Sequence, residues 1–246
     1  MTRKDSGVRQ DSVENLLLRS LPEEDFARLA PHLARVDFGM GSVLADIGKP
    51  IEWAHFPESG IVTFSEVLEN GTRIGIAHAG YDGFAGWPIL LDCRKSTHEA
   101  RITSDGGSGL RISAADLVAA CDAATSLRKH LLRFVHAITV QLGCTVISSL
   151  TQSAETRLCR WTLMAHDRVH GDQIFVTHEE IAVMLAVRRA TITDVLHTLE
   201  SEGFIRSERG KVMVLDRAGL RQRAGGTYGA YEALYSRLIA PFPRAE

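Results

Sequence analysis

Two adjacent arginines, Arg188 and Arg189, are followed closely by Thr191, Thr193 and Asp194. Between and beyond them Ile192, Val195, Leu196 and Leu199 recur at helical spacing and mark an inner, apolar face. The polar side chains therefore stand on the outer face, near the start of a helix. This set is rich in hydrogen-bond donors and poor in groups that transfer protons or attack carbon. An arginine fork can bond guanine O6 and N7 together. Threonine hydroxyls and the first N–H groups of a helix can hold a phosphate. The chemistry on offer is recognition of double-stranded DNA.

Such a helix needs a prop. Upstream, Thr177 with Glu180 three residues later forms a capping-box pattern, and Ile181, Met184 and Leu185 give one apolar face. Ala186-Val187 interrupts the pattern before the second helix begins. Two short helices joined by a tight turn read as a helix-turn-helix. Gly203 ends the second helix. Phe204–Arg206 and Val212–Leu215 then flank Glu208-Arg209-Gly210-Lys211, which reads as a β-hairpin wing with Arg209 and Lys211 available to phosphates. A plain core helical hairpin is the structural alternative, and the wing together with the double arginine argues against it.

Composition is that of an ordinary globular protein, at 45% hydrophobic and 24% charged. Net charge is −2, so bulk electrostatics do not announce a nucleic-acid partner. Residues 1–150 carry 15 basic and 18 acidic residues, and residues 151–246 carry 13 and 12. The excess is slight, so the case for DNA rests on where particular residues sit. There is no phosphate loop, G-x-S-x-G elbow or H-E-x-x-H pair, and no enzyme is expected. Cys93, Cys121, Cys144 and Cys159 form no CxxC pair and read as reduced, buried thiols. No apolar run approaches a membrane span, and the polar N-terminus has no signal-peptide core, so a cytoplasmic protein without a membrane partner is expected.

The elements that carry the DNA-reading segment follow from texture. Residues 1–12 read as a disordered tail. Pro22 with Glu23 and Glu24 marks a helix start. From about 35 to 113, short β-type runs alternate with glycine turns, which predicts a small antiparallel barrel or sandwich. Asn70-Gly71 between Ile61–Leu68 and Thr72–Ala77 predicts a two-residue hairpin turn. Leu127, Leu131, Phe134, Ile138, Leu142 and Thr145 then recur every three or four residues. Such a stripe lies either on its own domain or on a partner helix, and its length favours a dimer seam. Beyond the wing, Tyr228, Tyr231, Leu234, Tyr235 and Leu238 predict an added amphipathic helix, expected to pack on the DNA-binding domain.

From about residue 15 to 215 the chain resembles the Crp/Fnr family of bacterial regulators. The segment THEEIAVMLAVRRATITDVLHTLESEGFI matches its DNA-binding signature, and AETRLCRWTLMAHDRV resembles the helix before it. The resemblance implies an α+β fold: an antiparallel β-roll or jelly-roll sensor domain, a long central dimerisation helix and a C-terminal winged helix-turn-helix. The corresponding boundaries are 13–120, 121–150 and 151–220, with a helical extension over 221–246. It also implies a homodimer on palindromic double-stranded DNA, with RNA polymerase as a further partner. Arg189 falls where the family reads a guanine. Arg188 and Thr191 fall at phosphate positions, and His178 at a backbone contact. Ala190 stands where a glutamate is usual and Asp194 where an arginine is usual, so the preferred half-site should differ from the family's best-known one. Ala186 stands where glycine is common.

The effector side departs further. The resemblance places a pocket at Gly83, Phe84, Ala85 and Gly86, with Arg94, Thr97 and His98 nearby. Phe84 occupies the position of the ribose-binding glutamate. Thr97 occupies that of the phosphate-binding arginine, with Arg94 close enough in sequence to substitute. A buried phosphate without a cation is costly, so cAMP is not expected, and the chain reads as a branch lacking the usual cAMP contacts. No cofactor is expected: the iron–sulfur cysteines are absent, and His78 and His98 read as structural rather than haem ligands. The competing function is a ligand or redox sensor that acts mainly through protein partners and binds DNA weakly.

Overall fold

Glycines let short strands reverse direction, and the chain uses them to build two antiparallel sheets. The computed structural model describes residues 7–244. Its first seven strands are β1 (Ala34–Phe38), β2 (Val43–Ala45), β3 (Trp53–Pro57), β4 (Val62–Val67), β5 (Arg73–Ala79), β6 (Glu99–Ile102) and β7 (Gly107–Ser113). One sheet runs β1-β7-β3 and the other β2-β6-β4-β5. Phe56, Phe64, Phe84, Ile102, Leu110 and Ile112 fill the roll between them.

Two short helices, α1 (Leu16–Arg19) and α2 (Glu23–Leu29), precede the roll. Pro22 caps α2, and its acidic first turn suits the helix dipole. Order begins earlier than the expected boundary at residue 13. Val8 is buried, and the Gln10 amide donates to the carbonyls of Arg19 and Leu21, which lie at the end of α1 and need partners. Residues 1–6 of the expected tail lie outside the described residues.

The Asn-Gly hairpin forms, with a longer loop than expected. Gly71 N–H donates to the Leu68 carbonyl, Leu68 N–H donates to Thr72, and the Asn70 side chain accepts from Thr72 N–H. Gly71 alone of the pair has positive φ, at 79°. This is a three-residue loop with glycine at the left-handed position, in place of a two-residue turn that would need both residues there.

The helical region divides at Ala124 into α3 (Ala114–Ala123) and α4 (Thr125–Thr151). By length and composition α4 could cross a membrane. Its apolar face is accounted for within this chain, however. Leu127, Leu131, Phe134 and Ile138 are at most 2% exposed and pack into the roll's core. Leu142 packs against the same core, and the Thr145 hydroxyl bonds back to the Gln141 carbonyl. The stripe read as a dimer seam is therefore the helix's inner face. Sequence periodicity locates an apolar face but not what covers it. The uncovered face of α4 carries Val146, Ile147 and Leu150, at 58%, 54% and 80% exposure.

The C-terminal half contains α5 (Ala154–His166), β8 (Gln173–Phe175), α6 (His178–Leu185), α7 (Arg189–Ser201), β9 (Ile205–Glu208), β10 (Lys211–Val214), α8 (Arg217–Ala224) and α9 (Ala230–Leu238). The strands form a sheet β8-β10-β9, of which β8 was not foreseen. Leu158, Leu163, Ile174, Ile181, Ile192, Leu196 and Leu199 make a second core. Helix α9 does not lie on that core. Tyr231, Tyr235 and Phe242 join the roll's core instead, and α9 packs along α4. Of the extension's aromatic residues, Tyr231 and Tyr235 thus belong to the roll, while Tyr228 packs against the second core.

Three histidines are buried in the roll. His98 stacks on Trp87 and meets Phe64 edge-on, His55 meets Phe38, and His78 hydrogen-bonds Thr63. Burial pulls His55 and His98 down to about 4 and His78 to about 3. Neutral imidazoles therefore favour the folded state above the ordinary value of 6.5, and that contribution is lost as pH falls from 6.5 toward 4. In this window the unfolded chain binds more protons, so stability rises with pH by about 1.4 kcal/mol per pH unit for each such histidine. Chemical unfolding measured between pH 7 and 4.5 should show this slope, and His98→Phe should reduce it by about one proton's worth. An unchanged slope would show that His98 does not titrate on unfolding.

Candidate nucleic-acid interface

The helix-turn-helix is built by its caps. The Thr177 hydroxyl accepts from Glu180 N–H at 3.2 Å, and the Glu180 carboxylate accepts from Thr177 N–H at 2.8 Å, so both halves of the capping box are present. Helix α6 ends at Ala186, which sits in the left-handed region at φ 49°, ψ 48°. An alanine there costs about 1–2 kcal/mol. The turn leads directly into Arg188, the N-cap of α7, whose side chain makes no capping bond. The first N–H groups of α7 thus lack a side-chain acceptor and remain available to an anion.

Helix α7 buries Ile192, Leu196 and Leu199 and exposes Arg188, Arg189, Ala190 and Asp194. Thr191 is half-buried. His178 and Thr193 bond to each other at 3.1 Å, and His178 lies 3.5 Å from the Ser207 hydroxyl. His178 therefore braces α6, α7 and the wing at once. Burial, and next the charge of Arg189, keep its pKa below the ordinary value. Two exposed residues escaped the sequence reading. His197 lies about one turn beyond Thr193 on the outer face, and Arg206 lies on β9. Extending the helical spacing past Asp194 would have found His197.

The wing is β9 and β10 paired from Ile205↔Val214 to Glu208↔Lys211. Arg209 is exposed at the tip, and Gly210 supplies the positive φ of the turn, at 76°. Lys211 is half-buried and paired with Glu208 at 2.8 Å, which offsets part of its charge. Arg206 and Arg209 are the wing's remaining exposed cations.

The residues assigned to an effector pocket divide between a buried turn and an exposed edge. Phe84 is fully buried, stacked on Phe56 at 4.9 Å and tilted against Phe134 at 5.4 Å. A Cβ on Gly83 would overlap the Phe134 ring, and a Cβ on Gly86 would come within 2.8 Å of the Trp53 carbonyl. Ala85 is buried and pairs backbone bonds with His55. Arg94 is exposed and lines an outer groove of about 470 Å³ beside α3, with Ile51, Ile89 and Val118. Thr97 is exposed and bonds His98, whose ring is occupied by its stack on Trp87. The turn is filled by this chain's own aromatic side chains. Burial pushes the Cys121 and Cys159 thiols up to about 11 and 12, so neither is a thiolate near neutrality. No group of three metal-ligating side chains exists among the described residues.

The two halves of the chain meet through specific contacts. Met184 of α6 sits over Gly75 of β5, where a Cβ would lie 3.1 Å from the Met184 Cα, and the Thr63 hydroxyl donates to its sulfur. Just past the end of α5, Arg168 reaches the Gly80–Gly83 turn of the roll. Its Nη2 and Nε donate to Asp82 at 2.7 and 3.2 Å, with both side chains at most 1% exposed.

Comparison with known proteins agrees with this architecture. Residues 156–223 match the Crp-like helix-turn-helix domain. The transcriptional regulator LdrP of Thermus thermophilus is 31% identical over 178 residues, covering 70% of this chain and 88% of that protein. SdrP, a transcriptional regulator of the same organism, is 38% identical over 63 residues, 26% of this chain and 31% of that protein. Among solved structures, FixK2 from Bradyrhizobium japonicum superposes with a TM-score of 0.69 at 14% identity, covering 79% of this chain and 98% of that one. A CRP/FNR-family transcriptional regulator from Thermus thermophilus superposes with a TM-score of 0.64 at 22% identity, covering 78% and 99%. With its winged helix-turn-helix, its roll and its relatedness to LdrP over most of that protein's length, the chain belongs to the Crp/Fnr family of transcriptional regulators.

Proposed function

We propose that this regulator binds a palindromic DNA site as a homodimer, without cAMP, and acts in the cytoplasm. The observation that carries the reading is the outer face of α7. Arg188, Arg189 and an uncapped helix N-terminus are exposed together, and the wing that follows α7 exposes the further cations Arg206 and Arg209. In this reading Arg189 reads a guanine, Arg188, Thr191 and Arg209 hold phosphates, and Asp194 accepts from a cytosine amine. RNA polymerase is the partner through which a bound dimer would change transcription. The buried Phe84, and an Arg94 that is exposed on the outer groove beside α3, support the reading that a cyclic phosphate would find no cation in the turn.

The second copy is assigned to the uncovered face of α4. Val140, Gly143, Ile147 and Leu150 are spaced three and four residues apart and carry no charge, as a helix seam requires. Replacing Ile147 and Leu150 together by Glu should raise the dimer Kd on the order of 100-fold in sedimentation equilibrium. A dimer of unchanged strength would place the seam elsewhere.

Selection of bound duplexes from a random library, with purified protein and no ligand, should enrich a palindrome with half-sites about one helical turn apart. On that duplex Arg189→Ala should cost about 1–3 kcal/mol and relax the preference at one base pair of each half-site. Uniform binding of all sequences by the parent would remove the specific reading. Lys211→Ala should weaken binding evenly across sequences and flatten its salt dependence, with a change in log-log slope below about 1 because Glu208 already offsets part of the charge. Base-dependent loss would contradict a phosphate role for Lys211.

A further inference from the structure

We propose that the segment from Gly225 to Arg244 is an intramolecular strap that fixes the winged-helix domain on the roll with the recognition helix open, so that this chain does for itself what an effector would otherwise do. The proposal rests on the DNA-binding reading above and adds a source of control to it. The path of the chain is the first support. Helix α8 packs on α5 in the DNA-binding half, whereas α9 crosses back and packs on α4. The Crp-like domain match ends at residue 223, before α9 begins.

The second support is where the strap's polar groups go. The Tyr231 hydroxyl donates to Asp82 Oδ2 at 2.7 Å, so one carboxylate receives both Arg168 of the DNA-binding half and Tyr231 of the strap. The Arg168 guanidinium also lies 5.2 Å from the Tyr231 ring centre and 5.8 Å from that of Phe242. Farther along, the Tyr228 hydroxyl donates to Asp167 at 2.8 Å, the carbonyl of Thr227 accepts from Arg160 at 3.0 Å, and Arg244 donates to the Gly171 carbonyl at 2.8 Å. At its other edge Arg133 of α4 donates to the Leu238 carbonyl at 3.1 Å. The strap is thus bonded to both sides of the break between α4 and α5, where Gln152 leaves the helix at φ −113°, ψ 149°.

The third support is the state in which the strap holds the chain. Arg188 and Arg189 are exposed, and the sensor turn an effector would occupy is filled by Phe84. The two arginines stand exposed at the rim of a groove whose opposite wall is Gly71–Ile74 of the roll, and the filled turn leaves no room for a ligand.

Two variants test this: a chain ending at Gly225, and full-length Tyr231→Phe, which removes one hydroxyl. Hydrogen exchange should quicken at the Gly80–Gly83 turn and in α6 in both, about tenfold or more in the truncated chain and less in Tyr231→Phe, while β3 and β7 keep their protection. Affinity for the selected duplex should fall about tenfold in the truncated chain. If exchange in Tyr231→Phe rises only within residues 226–244 and the truncated chain keeps its affinity for the duplex, the strap proposal is overturned. A gain in affinity overturns it too, since the segment would then be an inhibitor. If the truncated chain loses protection throughout the roll, Tyr231→Phe decides alone: unchanged exchange at Gly80–Gly83 and α6 overturns the proposal. If the parent binds no duplex, the DNA reading fails and with it the open state, while the exchange data still report whether the segment straps the two halves.

Discussion

The arrangement of this protein depends on one buried charge pair. Asp82 lies in the glycine turn of the roll and Arg168 at the end of α5, and each is at most 1% exposed. Neither tolerates the interior alone. Removing one partner of such a pair costs about 3–5 kcal/mol, because the other charge is left without compensation. The remaining valences are filled as that argument demands. Asp82 also accepts from Gly80 N–H and from Tyr231, and Arg168 also donates to the Met164 carbonyl. Glycine at position 80 also eases the approach, since a Cβ there would come within 3.0 Å of the Arg168 side chain. The glycine turn of the roll is thereby tied to the DNA-binding half.

That commitment accounts for the rest of the interface between halves. With α5 anchored at Asp82, α6 comes to rest on β5, where Gly75 leaves space for Met184. Helix α7 follows from α6 through a short turn at Ala186 and Val187, so its outer face is directed by the same docking. The left-handed Ala186 shows that this geometry is retained at a cost that glycine would avoid. Around the reading face the charges are few. Glu208 offsets Lys211, so the exposed arginines carry most of the positive field, in keeping with a domain whose net charge is near neutral.

Much of the DNA-reading unit was legible in the sequence because its determinants are local. The capping box at Thr177 and Glu180, the buried spacing of Ile192, Leu196 and Leu199, and the glycine at the wing tip each act within a few residues. Such patterns survive whatever the rest of the chain does. The hairpin at Asn70-Gly71 was legible in existence but not in loop type, because positive φ at Asn70 is optional and only the strand register decides it. The pairing of Thr193 with His178 was not legible, since it spans two helices and depends on their crossing.

By itself, then, the sequence determined most of the element types, and with them the helix-turn-helix and the wing. It did so because hydrophobic period, capping and turn chemistry are short-range effects. Tertiary structure decided what each apolar face covers. The stripe of α4 from Leu127 to Ile138 faces the roll, and the exposed face at Val146, Ile147 and Leu150 is left for another surface. The aromatic stripe of α9 likewise joins the roll's core rather than the DNA-binding half. An apolar period states that a face must be buried, but its partner is set by long-range packing. Asp82, Arg168 and Tyr231 are separated by 86 and 63 residues in the chain, and only the folded arrangement makes them one interaction.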